Sequence, residues 1–148
     1  MTSDTTEAAT STWLADETAA RSVVDNIGKA WAANDPNAFA DAYTAEGTMI
    51  LSGDRFMQGR ETIRTIVAHQ FVSAHKGTTL LQNVVDVRPL GRDAAVVITE
   101  GGVLAPGETT PAPERAIRAT WVLEKQAGNW LIAAYQNTRN ADGQLPGA

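Results

Sequence analysis

The sequence contains no cysteine, which removes disulfide bonds, thiolate nucleophiles and thiolate-bound zinc from its chemistry. Histidine is scarce: there are only two, His69 and His75, and they do not repeat the i, i+4 spacing of a helical metal pair, so no metal site is expected. Positive charge is in the minority. Twelve Lys and Arg against 17 Asp and Glu leave a net charge of −5, which repels a phosphate backbone and argues against nucleic acid as a partner. No apolar run is long enough to cross a bilayer, and the first fifteen residues hold no Lys, no Arg and no signal-peptide core. A cytoplasmic protein with no membrane partner is therefore expected. GGVLAPG lacks the G-x-G-x-x-G spacing and opens no helix, and no P-loop or nucleophile elbow occurs. Chemistry that depends on NAD or ATP has no support, and no cofactor is expected.

What is present is a chain of 148 residues, 43% hydrophobic and 20% charged, enough for one domain with a real core. Composition places an aperiodic N-terminal tail over 1–12, the domain over 13–139 and a Gly- and Pro-containing tail over 140–148. From Asp16, the apolar residues Ala20, Val23, Val24, Ile27, Ala30 and Trp31 recur at helical steps. Asn34 is suited to close that helix in a left-handed conformation. Asp35-Pro36 then supplies an N-cap and a first helical residue for a short second helix through Tyr43.

TMILS, Ser52-Gly53-Asp54 and RFM read as a hairpin. Ile63, Ile66, Val67, Gln70 and Phe71 keep helical spacing in a third helix ending at His75-Lys76-Gly77. Four extended runs follow, at 78–89, 94–104, 115–126 and 129–138, with the proline-bearing loop APGETTPAPE between the second and third. Helices segregated from a mostly antiparallel meander make an α+β fold: three helices on a strongly curved sheet, with a pocket between them.

The element order, together with AWAANDPNAFADAYTAEG at 30–47, GRETI at 59–63 and WVLEKQAGNWLIAAYQNTR at 121–139, resembles the NTF2-like superfamily. More narrowly it resembles the SgcJ/EcaC branch among its SnoaL-like members, small proteins encoded with enediyne polyketide pathways in actinomycetes. The resemblance runs over nearly all of residues 16–139. It implies a cystatin-like or ketosteroid isomerase-like cone, a homodimer formed through the outer face of the sheet, and an apolar polyene or polyketide intermediate in the pocket. A polyketide synthase is a further implied partner. Chemistry is implied less firmly, since such folds host isomerases, cyclases, dehydratases and non-catalytic binders.

Ketosteroid isomerase-like members place a carboxylate base on the first strand, where this chain has Met49-Ile50-Leu51-Ser52 and no carboxylate. Other polar groups must then serve. On the last strand Trp130, Ile132, Ala134, Gln136 and Thr138 share one face, and Leu131, Ala133, Tyr135 and Asn137 the other. Alternation leaves open which face is concave. By family analogy Gln136 and Thr138 belong to the pocket, while Leu131, Ala133 and Tyr135, with Val122, belong to the outer face.

Glu100 has two readings, a general acid or base entering the cavity or a rim residue paired with Arg118 or Arg115. Arg118 is correspondingly a ligand anchor or a structural partner. His69, beside the apolar stripe of the third helix, is a further candidate base. Trp31, Phe39, Tyr43, Leu51 and Trp121 are the expected apolar lining. Three functions follow: a cofactor-free isomerisation, cyclisation or dehydration of the intermediate, with Glu100, His69 and Gln136 as candidate catalytic groups; binding and protection without turnover; or an accessory role docked on a polyketide synthase.

Overall fold

The computed structural model describes the backbone of residues 2–140 and the side chains of 13–140. Its first helix, α1, is Thr2–Ala32, so its backbone begins inside the stretch expected as a tail. TSDTTEAATST at 2–12 holds no glycine or proline to stop a helix. The expected C-terminal tail lies, from 141 onward, outside the described residues.

The end of α1 follows the sequence closely. Asn34 sits at φ +50, its amide donates to Trp31 O at 3.0 Å, and Asp35 caps α2 (Pro36–Asp41) by accepting from Asn37 N and Ala38 N. This second helix stops before Tyr43, which already belongs to β1 (Tyr43–Leu51). The cause is tertiary: Ile132 N donates to Ala42 O at 2.8 Å, and Arg60 donates twice to Tyr43 O. Both carbonyls are thereby drawn out of helical pairing.

β2 (Arg55–Gln58) returns along β1 as the expected hairpin, and α3 (Arg60–Phe71) follows Gly59. α3 ends four residues before His75. Ser73 N and His75 N both turn back to Gln70 O, and His75 packs on the Trp31 ring, with centroids 4.9 Å apart. The glycine at 77, φ +78, terminates this turn instead of the helix.

β3 (Thr79–Pro89), β4 (Ala94–Leu104), β5 (Ala116–Gln126) and β6 (Asn129–Arg139) form the expected meander. The loop before β5 contains a short 3-10 turn at Pro113–Arg115. The sheet order is β2-β1-β6-β5-β4-β3, antiparallel except where β1 runs parallel to β6. Irregular registers in β1, β3 and β6 add local bends of the kind that curl a sheet.

The helices cover one face. Ala20, Val24 and Ile27 of α1 and Ile63, Val67 and Phe71 of α3 are buried against Val97, Trp121, Leu123 and Ile132. Phe71 stands edge-on to Trp31 and Phe39, at 5.2 and 6.0 Å between centroids, which joins the three helices. Where β5 turns into β6, Trp130 Nε1 donates to Asp16 of α1 at 3.3 Å and Lys125 pairs with the same carboxylate at 3.1 Å.

Candidate functional site

Between the inner face of the sheet and the helices lies a cavity of about 300 Å³. Inward residues of neighbouring strands meet in tiers across it. Trp121 is opposite Val97 and Tyr135, Ala119 opposite Thr99 and Asn137, and Ile117 opposite Gly101 and Arg139. The first tier is the floor. Trp121 and Tyr43 are each 1% exposed, and Trp121 stands edge-on to Tyr135 with centroids 4.8 Å apart. Trp121 Nε1 donates to the buried Thr99 hydroxyl at 3.0 Å.

Of the lining expected from sequence, Trp31, Phe39, Tyr43, Leu51 and Trp121 are in place. The other expectations are corrected. Gln136, Thr138 and Arg118 are exposed and line a shallow groove on the outer face of the sheet. Tyr135, assigned to the outer face, points inward.

One extra residue accounts for the exchange on β6. Leu123 faces Ile132 while Val122 faces Ala134, so Ala133 is a bulge that reverses the alternation beyond it. Trp130 and Ile132 are inward before it, and Tyr135, Asn137 and Arg139 after it. Glu100 accepts from Arg118 Nη2 at 2.6 Å on the outer face, so the structural pairing holds and the catalytic placement does not. His69 is exposed on α3 and does not line the cavity, whereas His75 does. Among the described residues no three His, Asp or Glu side chains gather as a metal site.

The middle tier, missed by the sequence reading, carries the polar chemistry. Ser52 N and Oγ both donate to Asn137 Oδ1, at 3.0 and 3.1 Å. A backbone N–H can only donate, so it fixes the amide's orientation and turns Nδ2 toward the Tyr135 hydroxyl at 3.1 Å. The phenol oxygen is thus used as an acceptor, and its own proton is left to donate elsewhere. Ser52 and Asn137 were visible in the sequence, but only the β6 bulge brings them together.

Burial raises the Tyr135 pKa to about 12, against a smaller lowering by the Asn137 hydrogen bond. Tyr43 is held well above its ordinary value, first by burial and then by Tyr135 nearby. Both phenols are protonated at neutral pH and act as donors. His75 is lowered by burial and by the charge of Arg55, so its imidazole is neutral there.

A phenol raised in the folded state favours folding at pH values below its unfolded pKa near 10, and that advantage disappears as pH climbs through the folded value. Tyr135 alone should cost roughly 2 kcal/mol of stability between pH 9 and 12. Urea unfolding across that range, compared with Tyr135→Phe to subtract other groups, measures it; parallel curves for the two proteins would refute the assignment.

A cone of sheet and helices around an interior cavity defines a cystatin-like, NTF2-like α+β domain. The SnoaL-like domain profile matches residues 12–136, and the chain belongs to that family. Among solved structures it is similar to a cystatin-like domain of unknown function from Nostoc punctiforme, with 27% identity, 85% of this chain and 78% of that one covered, and a TM-score of 0.78. An NTF2-like protein from Novosphingobium aromaticivorans shares 19% identity over 96% and 92% of the two chains, with a TM-score of 0.80. A ketosteroid isomerase-like protein from Erwinia carotovora atroseptica shares 21% over 85% and 97%, with a TM-score of 0.67. No curated protein matches the chain.

Proposed function

We propose that the cavity binds an apolar small molecule carrying a carbonyl or hydroxyl oxygen, with that oxygen held by the Tyr135 hydroxyl. The carrying observation is the relay from Ser52 through Asn137 to Tyr135, which leaves a protonated phenol donor in a largely apolar wall. A polyene or polyketide intermediate of the enediyne type suits this wall, and the resemblance of residues 121–139 to the SgcJ/EcaC branch supports that choice. A donor that polarises a carbonyl, with neutral His75 as a proton acceptor elsewhere in the same cavity lining, supports cofactor-free isomerisation, cyclisation or dehydration.

The second reading is binding without turnover. It is favoured by the lining itself, in which the single carboxylate among the described residues is Glu114, next to Arg115 on the loop before β5.

2-Acetylnaphthalene and 2-isopropenylnaphthalene, a ketone and the hydrocarbon in which =CH2 replaces =O, test the binding role by quenching of tryptophan fluorescence. Tyr135→Phe should weaken the ketone about fivefold and leave the hydrocarbon unchanged. Equal loss for both would remove the carbonyl role. Deuterium uptake at the ketone's methyl group, followed by NMR with wild type and His75→Gln, separates the readings: acceleration by wild type alone supports turnover, and none supports sequestration.

A further inference from the structure

Along β6 the inward side chains run Tyr135, Asn137, Arg139, so the cavity grades from aromatic floor through amide to guanidinium over about 13 Å of strand. Arg55, just past the β1–β2 turn, lines the same cavity, close enough to His75 to depress its basicity. Arg115 lines it too, but it is already engaged by Glu108 at 2.7 Å and Glu114 at 3.8 Å. Among the described residues, Arg55 and Arg139 have no carboxylate within ion-pair distance, and Arg55 donates through Nε to Ser52 O at 3.2 Å.

The cavity's cationic rim thus runs against the chain's overall charge of −5. Guanidinium forks match the geometry of a carboxylate. Resting on the binding role proposed above, we infer that the ligand is a carboxylate-bearing amphiphile, inserted apolar end first, whose anionic head is held at the rim by Arg55 and Arg139.

This orientation assigns each tier a part of one molecule. The aromatic floor takes the hydrocarbon end, the Tyr135 hydroxyl at its edge and the Asn137 amide in the next tier an oxygen along its length, and the rim its terminal charge. The surplus of acid elsewhere on the chain opposes non-specific capture of anions, so selection falls to the rim.

Decanoate and decanol, which differ only in the head group, test the inference by titration calorimetry at pH 8. Wild type should prefer decanoate by about tenfold, the worth of one charge-assisted hydrogen bond. The double variant Arg55→Gln/Arg139→Gln should bring that ratio close to one while its decanol affinity stays within twofold. Arg139→Lys, which keeps the charge, should retain most of the preference. Arg92→Gln, in the β3–β4 turn beyond the floor, removes one positive charge away from the cavity and should retain all of it. Equal binding of both probes by wild type would overturn the anionic head and leave the cavity reading standing. A preference that survives the double variant would overturn the role of these arginines, and failure of both probes to bind would overturn the cavity reading with it.

Discussion

Trp121→Ala should cost about 3–5 kcal/mol of folding stability, the range for deleting a buried aromatic side chain. Three contributions combine. The indole is 1% exposed, stands edge-on to Tyr135, and supplies the donor for the buried Thr99 hydroxyl. Against a domain stability of roughly 5–15 kcal/mol, such a loss removes a large fraction of the total. Trp121→Phe retains the ring contact but strips Thr99 of its donor, so a smaller cost of about 1–3 kcal/mol is expected. Urea unfolding of both variants reads the difference. Because Trp121 also walls the cavity, the Ala variant should bind apolar probes more weakly even under conditions where it stays folded. An Ala variant that loses less than about 1 kcal/mol would contradict the packing described here.

The elements were legible wherever local chemistry sets them. Asn34 and the Asp35-Pro36 pair announced the break between α1 and α2, and the turn sequences separated β3 to β6 within a residue or two. Boundaries moved where a distant strand or ring took over. Ile132 of β6 captured Ala42 and ended α2 before Tyr43, and the docking of His75 on Trp31 accompanied a tighter turn after α3.

The site was legible in its apolar half. Trp31, Phe39, Tyr43, Leu51 and Trp121 need only helical or strand periodicity to be placed inside. Its polar half was hidden by the bulge at Ala133, since strict alternation puts Tyr135 and Asn137 on the face opposite Trp130 and Ile132, whereas the bulge brings all four to the same side. One clue lay within reach: antiparallel pairing of β5 with β6 can set an inward Trp121 beside Tyr135, an aromatic cross-strand pair of the kind that stabilises sheets. Glu100 and Arg118 differ in kind. They are directly paired strand neighbours of opposite charge, and neutralisation on the outer face satisfies both without a ligand.

The glycines that follow Glu100 yield the second large expected effect. Gly101 pairs with Gln82 and lines the cavity, and a Cβ there would collide with the carbonyl of Leu81. Backbone atoms in a strand ladder cannot swing aside as a flexible side chain can, so Gly101→Ala must push β3 away from β4. Overpacking of this kind costs about 1–3 kcal/mol and sometimes more, and the upper end is expected because the ladder is strained along with the packing. Gly91→Ala is the matched comparison. That residue sits at φ +82 in the β3–β4 turn with open space around it, so its cost is backbone strain alone, about 1 kcal/mol. Thermal unfolding should therefore rank Gly101→Ala well below Gly91→Ala, and the ranking would reverse if β3 and β4 were free to separate. Leu80 and Gln82 of β3 face the same cavity, so the displaced strand should also loosen its wall, and ligand affinity should fall in Gly101→Ala while Gly91→Ala binds as the wild type does.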